Sequence, residues 1–156
     1  MTGQDDLANT SIKPTPLHLV ANFEDFTMPE PIEADKASPT VRAVFEDIKK
    51  TRNVPDVNNF WKYLANDPAL LARTWESVKQ VMAGGALEPL VKEMVYLAVS
   101  VTNGCGYCIA SHTAGARKAG MTDAMFGELM AVVGMANETN RLANGYRVPI
   151  DAAFEK

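Results

Sequence analysis

The chemistry-bearing residues of this chain fall within one short stretch, from Glu93 to His112. Cys105 and Cys108 are its only two cysteines, separated by two residues. Two cysteines cannot build a disulfide scaffold, and in a reducing compartment a close pair points to redox or metal chemistry. The run Asn103-Gly104-Cys105-Gly106-Tyr107-Cys108 reads as a turn entering a helix. The first N–H groups of a helix lack intrahelical partners and favour a nearby anion, so a thiolate there is stabilised relative to a free thiol of pKa about 8.5. At i, i+3 the two sulfurs share a helix face, and Gly104 and Gly106 leave Cys105 room to approach Cys108. A reversible disulfide is feasible.

His112 lies at i+4 from Cys108, one turn further along the same face. An imidazole there is placed to take the Cys108 proton, directly or through a water, or to stabilise its thiolate. Glu93 lies between Val91 and Val95, in the most apolar stretch of the chain. A carboxylate in such surroundings is costly unless paired. If its helix packs on the cysteine helix, Glu93, His112 and Cys108 form a relay of carboxylate, imidazole and thiol.

Rival readings of the same residues are simpler. The cysteines could be two buried small hydrophobes, but the flanking glycines and His112 argue against that. Cys105, Cys108, His112 and Glu93 could bind zinc, although structural zinc sites draw on two separated Cys/His pairs and only one is present. Glu93 could lie on a narrow polar edge. His18, in Pro16-Leu17-His18-Leu19-Val20, reads as packing on a subunit surface. Phe60, Trp61, Tyr63 and Trp75 read as core or subunit interface, and Tyr107 as a group beside the cysteines of undetermined direction.

The elements that position these residues are helical. Residues 1–37 hold four of the nine prolines and no helical period. They read as an irregular N-terminal arm, and Leu17, Leu19, Val20, Phe23 and Phe26 favour its wrapping over a neighbour. Ser38-Pro39 starts a helix carrying Val41, Val44, Phe45 and Ile48 on one face. Thr51–Asn59 reads as a loop. Asp67-Pro68 opens a helix with Leu71, Trp75, Val78 and Met82, ended by Gly84-Gly85. Glu88-Pro89 opens the Glu93 helix, where Leu90, Met94, Leu97 and Val101 form a stripe. Val91, Val95 and Ala98 widen it, predicting burial on most of its surface. Asn103-Gly104 breaks it, and the cysteine helix runs from about Cys105 to Ala119. Thr122-Asp123 caps a last helix with Met125, Phe126, Leu129, Val132 and Val133, fading near Arg141. No segment alternates long enough for a strand. The expectation is an all-α bundle of five to seven helices, with a helical domain over 38–143 and a tail over 144–156.

The 156 residues suit one domain, and 47% hydrophobic with 22% charged residues suits a soluble one. A net charge of −4 and no dense Lys/Arg stretch argue against nucleic acid and anionic membrane as partners. Neither a secretory signal nor an apolar run of about 18 residues is present, so a cytoplasmic location is expected. No nucleotide or flavin motif occurs, so no cofactor is expected and electrons must come from an outside thiol. The apolar surface of so many helices predicts a homo-oligomer.

The run from Glu93 to Cys105-Gly106-Tyr107-Cys108 and on to His112 resembles the carboxymuconolactone decarboxylase-like superfamily, and within it the alkylhydroperoxidase D branch, which keeps both cysteines. The resemblance extends over roughly Phe45 to Val133. It implies an all-helical fold assembling into trimers or hexamers, and a peroxidase or disulfide-reductase cycle. In that cycle Cys108 attacks the peroxide and becomes a sulfenic acid, Cys105 resolves it to a disulfide, and Glu93 and His112 relay protons. Peroxidase members place a His immediately before the second cysteine, where this chain has Tyr107. The function expected is that of a thiol-dependent peroxidase or thiol–disulfide oxidoreductase. Its substrate would be a hydroperoxide or disulfide, and its donor an external dithiol such as a lipoyl-bearing protein. The alternative is a non-catalytic redox-sensing or structural oligomeric module of the same fold.

Overall fold

Proline and polar caps set where the helices begin. The structure, a computed structural model, describes residues 28–155. His18 and the apolar group Leu17 to Phe26 therefore lie outside the described residues. Helix α1 spans Pro39–Arg52, α2 Asn59–Leu64, α3 Pro68–Met82, α4 Pro89–Thr102, α5 Gly106–Lys118 and α6 Asp123–Gly145, with a 3-10 turn at Ala152–Phe154. No strand occurs among the described residues, and the fold is all-α. None of these helices is long and apolar enough to cross a membrane.

Caps and breakers account for most boundaries. Ser38 Oγ accepts the Val41 N–H at 3.3 Å with Pro39 at the first helical position, as the Ser-Pro pair predicts. Asn53, at φ 52°, ends α1 in the left-handed conformation that Asn tolerates. Thr122 Oγ1 accepts the Met125 N–H at 3.2 Å to open α6. Two outcomes differ from the sequence reading. The stretch read as a loop up to Asn59 gives way there to the short helix α2, and α6 continues past Arg141 to Gly145.

The described residues divide into two compact units, one up to Ala72 and one from Arg73. In the first, α1 buries Val41, Phe45 and Ile48, at i, i+4, i+7. Burying side chains of this size contributes about 1.5–3 kcal/mol each. Residues 30–33 are tied to the α2 region: Ile32 N–H donates to Lys62 O at 3.0 Å, and Asn66 Nδ2 donates to Glu30 O at 2.8 Å. Lys62, only 8% exposed, donates through Nζ to Glu33 at 2.7 Å and to Asp56 at 2.9 Å.

In the second unit, Leu97 of α4, Ala116 of α5 and Met121 form a fully buried centre. Leu90, Met94 and Val101 of α4, Ile109 of α5, and Met125, Phe126 and Leu129 of α6 pack against it. That is the predicted α4 stripe. Of the predicted widening by Val91, Val95 and Ala98, the valines fail, being 41% and 53% exposed, while Ala98 is half-buried; Val99 is also 53% exposed. One face of α4 packs on α5 and α6, and the valines of the other face stay exposed in this chain.

The Lys62 cluster gives a pH dependence whose sign follows from its bonds. Hydrogen bonding to Lys62, with help from the Val57 N–H, holds the Asp56 carboxyl below its ordinary value, and the two carboxylates push the Lys62 ammonium up. A carboxyl depressed on folding contributes stability that is complete above its unfolded pKa of about 3.9 and is lost as pH falls through the folded value. Lys62→Met should therefore flatten the acid limb. In thermal melts the wild type should lose melting temperature more steeply than the variant below about pH 4. Parallel curves would contradict it.

Candidate active site

Helices α4 and α5 are joined by only Asn103, Gly104 and Cys105. This turn needs a residue at positive φ, and Gly104 supplies it at 69°. The Cys105 N–H donates to Ser100 O at 3.0 Å, closing the end of α4. Cys105 then serves as the N-cap of α5: its Sγ accepts the Cys108 N–H at 3.3 Å. Both cysteines are free thiols of intermediate exposure.

The i, i+3 spacing brings the sulfurs together but makes them unequal. A hydrogen bond from Cys108, then the N–H groups of Cys108 and Tyr107, hold the Cys105 thiol below its ordinary value. The same side-chain bond, burial and the neighbouring charge push Cys108 up. The helix start stabilises a thiolate, as its sequence suggests, but on Cys105 rather than on Cys108.

Glu93 and His112 meet across the α4–α5 contact: His112 Nδ1 and Glu93 Oε2 are 2.7 Å apart. The imidazole side chain is 16% exposed and the carboxylate 22%. A carboxylate on Nδ1 selects the Nδ1–H tautomer and leaves the Nε2 lone pair to accept a proton. His112 lies one turn from Cys108 on α5, and its hydrogen bond goes to Glu93, not to a sulfur. The polar-edge reading of Glu93 is thereby corrected. Its neighbour Lys92 donates to Val81 O at 2.7 Å and to Ala83 O, closing the end of α3. Among the described residues no group of three or more His, Cys, Asp or Glu is placed to hold a metal ion, so the four candidate ligands do not converge.

Two participants are absent from the sequence reading. Tyr96, one turn beyond Glu93 on α4, stacks on the imidazole with ring centroids 3.5 Å apart and planes 18° apart. Gly115, one turn beyond His112, leaves the space the carboxylate fills: a Cβ there would lie 2.7 Å from Glu93 Oε2. The available signal for Gly115 is a glycine inside a helical pattern, where it costs about 1 kcal/mol relative to Ala and so suggests a close approach. Tyr96 has no comparable signal, since an aromatic in an apolar helix reads as core.

A cavity of about 660 Å³ opens onto both sulfurs, walled mainly by Val81, Leu87, Val95, Tyr96 and Val99. Its surface is overwhelmingly apolar, with Lys92, Ser100 and Asn103 as its other polar residues. Tyr107 is half exposed and does not line it. Of the four aromatics read as core or subunit interface, Trp61 and Trp75 are buried, whereas Phe60 and Tyr63 are exposed.

The Gly115 contact makes a prediction about stability. Gly115→Ala gains about 1 kcal/mol of helix propensity but displaces a carboxylate whose bond to the imidazole is worth about 1.5–3 kcal/mol. It should destabilise the wild type by about 0.5–2 kcal/mol. In a Glu93→Ala background the same change should stabilise by about 1 kcal/mol. Urea titrations of the four proteins check this, and equal effects in both backgrounds would refute it.

Comparisons with known proteins point to one family. The model of the carboxymuconolactone decarboxylase family matches residues 68–151, from α3 through the end of α6. Among solved structures, the chain is similar to an alkylhydroperoxidase AhpD core from Rhodospirillum rubrum. Sequence identity is 50%, coverage is 83% of this chain and 98% of that one, and the TM-score is 0.79. No curated protein matches the chain. With more than half its length matched by the family model and a half-identical structural relative, the chain belongs to the carboxymuconolactone decarboxylase family, in its alkylhydroperoxidase D-like branch.

Proposed function

We propose that this protein is a thiol-dependent peroxidase or thiol–disulfide oxidoreductase of the reduced cytoplasm. Its Cys105–Cys108 dithiol is oxidised to a disulfide as a hydroperoxide or disulfide substrate is reduced. An external dithiol, such as that of a lipoyl-bearing protein, restores it. The observation carrying this reading is the pair of free thiols at the wall of an apolar cavity, with a bonded carboxylate and imidazole on the same two helices.

Each part has a chemical task. A thiolate is the attacking form of cysteine, and the helix start stabilises one. A second thiol at i, i+3 is close enough to close the disulfide and expel the reduced substrate. That second thiol must lose its proton to attack. The Nε2 lone pair of His112, held by Glu93 on the opposite ring nitrogen, is the base one turn away, through a water or a substrate atom. The apolar walls favour an alkyl-bearing substrate over a charged one. Kinship to a protein named alkylhydroperoxidase supports the same substrate class.

The exposed row Val91, Val95 and Val99 on α4, with Val132, Met135 and Leu142 on α6, supports assembly into a trimer or hexamer of this chain. Light scattering at micromolar concentration should give a homo-oligomer, and a monomer would refute this.

The catalytic reading is tested with hydrogen peroxide or an organic hydroperoxide and a panel of dithiol donors. Cys108→Ser should abolish turnover while the helical circular dichroism persists. His112→Ala should lower the rate by about 10²–10⁴. A wild type that closes its disulfide once and never turns over with any donor would identify a redox-sensing module instead.

A further inference from the structure

We propose that Tyr96 is a positioning residue for the proton relay. Its ring clamps the His112 imidazole in the plane that the Glu93 bond leaves free, and stands between that imidazole and the cavity the substrate enters. The proposal rests on the dithiol cycle proposed above and adds to it a residue whose sequence setting reads only as core.

Two residues of α4 meet the imidazole in different ways. Glu93 and Tyr96 are i, i+3 on that helix, so both reach α5 from one side of it. Glu93 Oε2 lies 2.7 Å from His112 Nδ1. A bond at one ring atom leaves the imidazole free to turn about the line joining the two atoms, and such a turn swings Nε2. Tyr96 removes that freedom by lying over the ring, with centroids 3.5 Å apart and planes 18° apart. Helix α4 cannot rotate to release the contact, because Leu97, the next residue, has no exposed surface. The overlap itself is informative. Aromatic pairs usually sit offset or edge to face, with centroids about 4.5–7 Å apart. A fuller stack over a phenol face gains most when the other ring carries positive charge, as the imidazole does once it has accepted a proton.

The same tyrosine belongs to the cavity. Tyr96 lines it together with Cys105 and Cys108, whereas Glu93 and His112 do not. The phenol ring is therefore the border between the relay and the space holding the thiols. A substrate entering that space meets Tyr96 before the imidazole. Protons reach Nε2 along α5, where Cys108 and His112 are one turn apart. An aliphatic side chain of similar length would fill the wall but lay no flat face on the imidazole, which separates the two roles experimentally.

The step that depends on the clamp is closure of the disulfide. One thiol gives its proton to Nε2 as its sulfur bonds to the other cysteine. The bond from that cysteine to the substrate atom breaks, and the imidazolium returns the proton to the leaving group. A ring free to turn holds Nε2 out of place for part of the time, which slows this step without weakening substrate binding.

The test compares Tyr96→Leu and Tyr96→Phe in the full chain. It combines steady-state kinetics, using an organic hydroperoxide and a dithiol donor, with NMR of the imidazole C–H protons at one fixed pH. The chain has only two histidines, His18 and His112, so a His112→Ala spectrum assigns the signals. In the wild type the His112 protons should lie upfield, in the ring current of Tyr96. Tyr96→Leu should return them to unstacked positions with helical circular dichroism retained. Its kcat should fall about tenfold while KM changes less than about twofold. Tyr96→Phe restores the flat face, and should recover the upfield shift and most of the lost kcat. Any of four results overturns the clamp: no upfield shift in the wild type, full kcat in Tyr96→Leu, a defect confined to KM, or Tyr96→Phe as impaired as Tyr96→Leu. A wild type that turns over with no donor overturns the dithiol cycle instead, and the NMR comparison then decides the clamp by itself.

Discussion

The packing of α4 on α5 around Leu97 and Ala116 is the constraint on which the site depends. Leu97 has no exposed surface and neither has Ala116, so the two helices approach as closely as an alanine allows. That approach carries Glu93 onto His112. It also requires Gly115 to have no side chain, because the carboxylate occupies the volume a Cβ would take. Glu93 is thereby enclosed without being orphaned. Its oxygen is 2.7 Å from the imidazole, and the penalty of placing a carboxylate in an apolar helix is offset by that bond. Tyr96 then fixes the ring plane by stacking, so the imidazole is held at one nitrogen and on one face.

The short turn between the same helices does for the thiols what the packing does for the acid and base. With only three residues available, the chain must reverse through a left-handed glycine and begin the next helix on a cysteine. An N-cap is ordinarily a Ser, Thr, Asp or Asn oxygen. A sulfur in that place accepts the same backbone N–H, and that bond helps hold its thiol below the ordinary value. The asymmetry between two chemically identical side chains follows from one lying before the helix and the other inside it.

The two faces of α4 divide the work. Leu90, Met94, Leu97 and Val101 face α5 and α6, while Val95, Tyr96 and Val99 wall the cavity. The side opposite the core is therefore apolar without being buried in this chain. The family match over 68–151 spans the cavity walls, the turn and the Glu93–His112 pair alike.

Much of this was legible in the sequence because it is local. Helix starts at Ser38-Pro39, Asp67-Pro68, Glu88-Pro89 and Thr122-Asp123 follow from capping chemistry and proline geometry, which act within a few residues. The pairing of Cys105 with Cys108 and the place of His112 follow from 3.6 residues per turn. Tertiary structure decided what spacing along one helix does not contain. Whether Glu93 reached the imidazole depended on the approach of a second helix. Gly115 and Tyr96 acquire meaning only once that approach exists. Val91, Val95 and Val99 are as apolar as their neighbours, so their exposure was hidden until the core chose one side of α4. The inequality of the two thiols was hidden for a similar reason: spacing makes them neighbours, but only the geometry of the turn sets Cys105 before the helix as its cap and Cys108 inside it.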